Sequence, residues 1–324
     1  MDNGTTFLPS EFVNRLERIV PADRLHQVLR SFIDRPATSF RVNTLKANVK
    51  TVLASLKSDG IIPNGVSWFD AAFWVAPETR DLLLSSSAAE GGLIYIQNLS
   101  SMLPPLILAP RPGERVLDLT AAPGSKTLQL AALMEGEGEL AAVELSRGRF
   151  FKMKALLDEY GASFVRTFLQ NGEKVWRYRP EYFNRILLDV PCSTEGRFHA
   201  LEPDSYSYWK PRKIKEMSSK QRRLLFSAVH ALAPGGVLVY STCTFAPEEN
   251  EAMVDWALNR FDGLLTVDAV DMDLPGTAAP LREWEGRIFD SAVQRSLRIL
   301  PDGIYEGFYV CRLTKTGSTL TGTP

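Results

Sequence analysis

Val116-Leu117-Asp118-Leu119-Thr120-Ala121-Ala122-Pro123-Gly124-Ser125-Lys126-Thr127 is an apolar run that breaks into a turn of small residues and reopens as a helix. Strand, small-residue turn and helix N-terminus together let backbone approach a nucleotide-like ligand. A phosphate-binding P-loop needs Gly-Lys-Ser/Thr contiguous, and Ser125 separates Gly124 from Lys126. The NTPase reading therefore fails on spacing.

Outward from this turn, short β-rich runs at 115–119, 140–143, 164–167, 185–189 and 237–242 alternate with helical stretches at 128–134 and 147–160. A longer helix ends near Ala231 and is closed by Pro234-Gly235-Gly236. This alternation predicts an α/β fold with a parallel, doubly wound sheet. Upstream, a helix begins at 12–19, a short strand lies at 40–43, an amphipathic helix at 49–57 and an aromatic strand region at 66–75. These predict a small α+β domain over 1–92, bounded near Gly91-Gly92, ahead of a larger domain over 93–314. The small, polar tail 315–324 is expected to be disordered, and there is no internal repeat.

The carboxyl ends of the predicted strands carry the chemistry. Glu144 ends one of them, where an acid can accept hydrogen bonds from ribose hydroxyls; alone, it reads more readily as a plain surface acid. The run Ile186-Leu187-Leu188-Asp189-Val190-Pro191-Cys192 delivers an acid and a thiol to the same edge, and Val237-Leu238-Val239-Tyr240-Ser241-Thr242-Cys243 delivers a second thiol. A lone cysteine on an apolar strand is ordinarily a small core residue; for Cys192 the neighbouring Asp189 and Pro191 shift the balance. These residue types suit methylation at C5 of cytosine, whose ring attacks a methyl sulfonium too poorly on its own. A thiolate that adds to C6, with an acid at N3, turns C5 into an enamine carbon able to attack. The base must then be single-stranded or flipped out of its stack.

With 324 residues, 45% of them hydrophobic, the chain is long enough for one large or two modest cores. No apolar run reaches a membrane span, and Met1-Asp2-Asn3-Gly4-Thr5-Thr6 lacks the pattern of a secretory leader. Three cysteines make a poor disulfide framework and fit a reducing compartment, so a cytoplasmic location with free thiols is expected. Lys and Arg number 37 against 38 Asp and Glu, so a nucleic-acid partner must rest on local patches. The most basic stretch is Trp209-Lys210-Pro211-Arg212-Lys213-Ile214-Lys215, readable as a phosphate contact or as a solvated helix face. His26, His199 and His230 share no ligand spacing with the cysteines, which excludes a zinc deaminase, and no metal is expected.

The three motifs, with Phe40-Arg41-Val42-Asn43-Thr44-Leu45-Lys46, Tyr95-Ile96-Gln97 and Glu306-Gly307-Phe308-Tyr309, resemble the RNA 5-methylcytosine methyltransferases of Sun-domain or NSUN type over nearly the whole chain. Phe7-Leu8-Pro9, Ser67-Trp68-Phe69 and Phe73-Trp74-Val75 look like their bacterial RsmF-type branch, which modifies 16S ribosomal RNA, without its C-terminal extension. The resemblance implies a class I, Rossmann-like methyltransferase domain behind a small RNA-recognition-like domain, with S-adenosyl-L-methionine as cofactor. It implies Cys243 as nucleophile, Cys192 as the residue that assists product release, and Asp189 as the acid at N3. It implies cofactor contacts at Thr120, Ala121, Ala122, Pro123, Gly124, Ser125, Lys126, Glu144, Asn171 and Asp189. RNA contacts are expected at Arg41, Asn43, Lys46, Lys210, Arg212 and Lys213, with ribosomal RNA the partner, transfer RNA the alternative, and the protein a monomer. Two departures stand out: Asn171 where the family has Asp, and Ser193-Thr194-Glu195-Gly196 where Ser-Gly-Glu-Gly is usual. Asn171 is the feature most favourable to a rival class, a non-catalytic RNA-binding protein with a degenerate methyltransferase fold; Cys243, Asp189 and Lys126 argue against it.

Overall fold

The computed structural model describes residues 8–320. The leader reading at the N-terminus, Phe7 of the branch resemblance and the last part of the expected tail, 321–324, lie outside them. Helices α1 (Ser10–Ile19) and α2 (Ala22–Ser31) open the chain. Then come β1 (Thr38–Val42), α3 (Val49–Ser58), β2 (Asn64–Gly65), β3 (Ala72–Val75), α4 (Arg80–Leu84), α5 (Ser87–Glu90) and β4 (Ile94–Ile96). The larger domain runs α6 (Leu99–Leu108), β5 (Arg115–Asp118), α7 (Ser125–Leu133), β6 (Glu139–Glu144), α8 (Arg147–Glu159), β7 (Arg166–Leu169), β8 (Phe183–Asp189), α9 (Pro211–Ala231) and β9 (Leu232–Thr242). It closes with α10 (Glu251–Arg260), β10 (Leu265–Asp268), β11 (Thr277–Ala278), β12 (Glu283–Trp284), β13 (Arg287–Ile288), β14 (Leu297–Ile299) and β15 (Phe308–Lys315).

The large sheet has the order β11-β14-β15-β9-β8-β5-β6-β7, with β10 also on β15. Strands β5 to β9 pair in parallel, and β10, β11, β14 and β15 add an antiparallel wing. Chain order reverses between β5 and β8, so the crevice of an open α/β sheet falls at their carboxyl ends. Those ends carry the Asp118–Lys126 turn and the Asp189–Cys192 segment. The expected doubly wound sheet is present, with β7 two residues later than read.

The small antiparallel sheet, β2-β3-β1-β4, packs α3 and its neighbours around Phe40, Val52, Leu56, Phe73 and Leu83. Two features differ from the domain expectation. Ile94–Ile96 completes this small sheet by pairing with β1, so the boundary lies after residue 92. Helices α1 and α2 belong to the core of the larger domain, where Phe12 meets Phe198 at 4.9 Å and Phe32 meets Phe245 at 6.1 Å between ring centroids. An amphipathic pattern specifies a helix with an apolar face, not the core that receives it.

The tail expectation is corrected over 315–320. Lys315 is the last residue of β15, fully buried, and its Nζ donates to Glu181 Oε1 at 2.8 Å and to the carbonyls of Val229 and Leu232. Thr319 also bonds Glu181, so this acid ties down a segment whose polarity alone argued for disorder.

Candidate active site

A cavity of about 230 Å³ opens at the β5/β8 reversal. The first turn contributes Asp118, Thr120, Ser125 and Lys126; β6 and α8 contribute Glu144 and Arg149; and the following turns contribute Asn171, Asp189, Cys192, Arg197 and Cys243. Lys220 of α9 closes one side. Buried Val116 and Leu117 fix β5 in the sheet, which puts Asp118 at its end. Gly124 then takes φ +109 at the start of α7, a conformation that favours glycine, and a Cβ there would sit 3.1 Å from Met153 Cγ.

Lys126 is buried with its Nζ 2.7 Å from Asp189 Oδ2 and 2.7 Å from Ser101 Oγ. Asp189 Oδ1 accepts from Ser241 Oγ at 2.7 Å, and Thr120 donates to the Asp189 carbonyl. The acid that sequence reading placed at the crevice is therefore held on both oxygens. Glu144 is also buried: Oε1 accepts from Ser146 N–H at 2.6 Å and Oε2 lies 3.6 Å from Arg149. Asn171 lines the cavity while its Oδ1 accepts from Glu173 N–H at 3.0 Å, capping a 3₁₀ turn. The amide thus supplies the same local cap that a carboxylate would.

Cys192 and Cys243 stand on the loops after β8 and β9, with sulfurs 3.4 Å apart. The hydrogen between them divides their acidity: the bond from Cys192 pulls the Cys243 thiol below its ordinary range, with Arg197 adding to the effect. The same bond, with burial, pushes Cys192 well above it. The two shifts run in opposite directions and favour the thiolate on Cys243 over one on Cys192. Cys311 lies in the core of β15, pushed upward by burial, and has no part in this pair.

Sequence reading missed Asp118. Its Oδ2 accepts from Thr127 Oγ1 at 2.7 Å, while Oδ1 is buried with no hydrogen-bond partner among the described residues. Burial pushes its carboxyl up to about 7. The signal was available, since Asp118 ends an apolar strand at the crevice as Asp189 does. Also missed were Glu195 and Glu249, buried acids behind the cysteine loops, which sequence pattern assigns to a surface turn and a helix start.

Two expected RNA contacts are corrected. Arg41 is 1% exposed, its Nε donating to Gln97 Oε1 at 2.9 Å and its Nη2 to the Ser125 carbonyl at 3.2 Å. Asn43 is fully buried and donates to the carbonyls of Gly92 and Tyr160. Both join the small domain to the larger one and offer nothing to an external partner. Lys46, Lys210 and Arg212 are exposed, and half-buried Lys213 pairs with Glu216 at 3.1 Å. Among the described residues no cluster of His, Cys, Asp and Glu could hold a metal ion, and no helix is long and apolar enough to cross a membrane.

A family model described as 16S rRNA methyltransferase RsmB/F matches residues 105–314, and one for the N-terminal domain of 16S rRNA methyltransferase RsmF matches residues 8–99. The chain is 39% identical to Ribosomal RNA small subunit methyltransferase F of Cronobacter sakazakii over 322 residues, covering 97% of this chain and 65% of the relative. It is 37% identical to the protein of the same name in Escherichia coli, covering 98% and 65%. The chain thus spans 65% of the length of these curated relatives. Among solved structures, a methyltransferase homolog protein from Pyrococcus horikoshii aligns with a TM-score of 0.83 at 30% identity, covering 97% of this chain and 98% of that one. NSun6 from Pyrococcus horikoshii, solved with SFG, aligns at 0.83 with 20% identity over 97% and 100%, a likeness of fold. The expected fold, a Rossmann-like methyltransferase domain preceded by a small α+β domain, is the one found.

Proposed function

We propose, because this chain belongs to the RsmB/F family of 16S rRNA methyltransferases, that it methylates C5 of a cytosine in small-subunit ribosomal RNA through a covalent bond from Cys243 to C6. The observation that carries this reading is the sulfur pair, 3.4 Å apart on the wall of one cavity with a Lys126-held Asp189.

The cavity suits S-adenosylmethionine. The unpaired buried oxygen of Asp118 matches a cationic amino group, and Glu144, ending the neighbouring strand, matches ribose hydroxyls. Asn171 would meet the adenine, and the small residues Ala121, Ala122 and Pro123 admit the ligand against backbone. When bound, the cofactor supplies an electrophilic methyl group on a sulfonium.

Cys243 adds to C6 as a thiolate while N3 takes a proton from solvent, and the resulting N3–H is stabilised by the Asp189 carboxylate. C5, now enamine-like, takes the methyl group. Water then takes the C5 proton as the C6–S bond breaks, Cys243 leaves as a thiolate with the Cys192 thiol beside it to steady its charge, and N3 returns its proton to solvent. Exposed Lys210 and Arg212, together with Lys46, are the candidates for phosphate contact. The free thiols and the bacterial relatives support action in the cytoplasm.

The test is tritium transfer from labelled S-adenosylmethionine into small-subunit ribosomal RNA, large-subunit ribosomal RNA and bulk transfer RNA, with Cys243→Ala as control. Label recovered as 5-methylcytosine in the small-subunit RNA and lost in the variant is expected. Label confined to transfer RNA would reassign the substrate, and cofactor binding without transfer to any RNA would favour a binding protein.

A further inference from the structure

Behind the two cysteines lies a buried polar network that the methylation chemistry does not use. Glu249, fully buried, accepts from Ser193 N–H at 3.1 Å and from Gln221 Nε2 at 2.7 Å. Gln221 Nε2 also donates to the Pro191 carbonyl at 2.9 Å, so the segment on both sides of Cys192 is fastened to one carboxyl group. Glu195 does the same for the other loop. It accepts from Thr244 Oγ1 at 2.8 Å, Phe245 N–H at 3.1 Å and Trp209 Nε1 at 2.8 Å. Proton counting links the two: Thr244 spends its hydrogen on Glu195, so in the 2.7 Å contact between Ser193 Oγ and Thr244 Oγ1 it is Ser193 that donates.

The charges around the sulfurs are uneven. Asp189 is neutralised by Lys126 at 2.7 Å, and Glu306 by Arg197 at 3.3 Å. Glu249 has no cation within ion-pair distance among the described residues. Glu195 has none either, but it accepts three hydrogen bonds, from Thr244, Phe245 and Trp209. Burial pushes the Glu249 carboxyl up to about 8, so an uncompensated negative charge stands behind Cys192 once pH exceeds that value. The guanidinium of Arg197, whose neighbour Gly196 donates to the Cys243 carbonyl at 2.9 Å, stands on the Cys243 side of the same cavity. Only one sulfur of a pair sharing a hydrogen can be anionic, and an electric field across the pair selects which.

We propose that Glu249, with Arg197 opposite it, is a positioning residue that assigns the roles of the two cysteines: the Glu249 carboxyl group keeps the hydrogen on Cys192, and Arg197 draws the negative charge to Cys243. This deepens the methyltransferase reading and rests on it for its biological meaning, but the physical claim concerns the sulfurs alone. It is tested without RNA or cofactor, by labelling the folded chain with iodoacetamide between pH 5 and 9 and quantifying the modified Cys192 and Cys243 peptides. In the wild type Cys243 is labelled ahead of Cys192 at every pH, and its profile rises at lower pH. In Glu249→Gln, which keeps a side chain of the same shape, the rate ratio of Cys243 to Cys192 at pH 9, where the wild-type carboxyl is ionised, falls by about tenfold or more, the equivalent of one pKa unit. Arg197→Gln, on the exposed rim, lowers the same ratio by slowing Cys243, and decides the matter if Glu249→Gln does not fold. A wild-type ratio near one, or a ratio unchanged in folded variants, overturns the proposal. A chain that shows the ratio yet methylates no RNA would defeat the functional reading and leave the positioning intact.

Discussion

Cys192 and Cys243 differ in the direction their acidity moves although they share one hydrogen bond, so their alanine variants separate by chemistry as well as by rate. Cys243→Ala removes the sulfur that adds to C6, and no covalent protein–RNA complex is expected on a denaturing gel. Cys192→Ala removes the neighbour that assists release, and the complex should accumulate; the opposite pattern would make Cys192 the nucleophile. Asp118 gives a second contrast. Its carboxyl is raised to about 7 by burial, and the hydrogen bond from Thr127 opposes this only in part. Because the folded value lies above the unfolded one, the native chain holds this proton more tightly. Stability from this group is therefore present in acid and lost as pH rises from about 4 to about 7, at a limiting slope of about 1.4 kcal/mol per unit. Asp118→Asn keeps an acceptor for Thr127 and cannot ionise. In urea melts its stability relative to wild type should rise between pH 5 and pH 8, while its affinity for S-adenosylmethionine, titrated by calorimetry, should fall. Equal affinity would remove Asp118 from the cofactor site.

Elements with strong periodicity and a clear stop were legible before the fold was known: β5, β6, β8 and α8 lie close to where the sequence places them, and both cysteines fall at the predicted edges, but β9 begins at Leu232 instead of 237 and takes in the Pro234-Gly235-Gly236 run read as a helix stop. β7 was read two residues early because it is an edge strand with an exposed, non-alternating face, which leaves no pattern to fix its ends. Contacts between loops distant in sequence were not legible at all. Gly196 lies so near the Gly307 backbone that a Cβ would stand 2.1 Å from the Gly307 carbonyl oxygen, and a Cβ on Gly307 would stand 2.3 Å from Phe245 Cζ. The loop after Cys192, the loop after Cys243 and the start of β15 thus meet backbone to backbone. Gly196→Ala should force them apart, lowering stability by about 1–3 kcal/mol as an overpacked site does and slowing methyl transfer more than it weakens cofactor binding. Wild-type turnover in this variant would show that the loops adjust without moving the sulfurs.

At the scale of the whole molecule, the large α/β domain was readable and the seam between the domains was not. Every residue of β1 is buried, since one face of the small sheet covers its own helices and the other the larger domain. Alternation could not tell an inward Arg41 from a solvent-facing one. Its guanidinium, lowered by burial to about 10, lies 5.3 Å from the Tyr95 ring and reaches the carbonyl of Ser125 at the start of α7. Arg41 thereby links the small domain to the turn that builds the cofactor site. Arg41→Met should leave Gln97 Oε1 and the Ser125 carbonyl without this donor in a buried seam, a loss of about 1–3 kcal/mol for each acceptor left unsatisfied, visible as a lower urea midpoint and weaker S-adenosylmethionine binding. Arg212→Gln, at an exposed position, should leave both unchanged, reduce RNA affinity and flatten its dependence on log salt by about one unit if Arg212 meets a phosphate. The two variants exchange signatures if Arg41 is an RNA ligand: full stability and cofactor affinity in Arg41→Met, with a flattened salt dependence, would overturn the account of the seam.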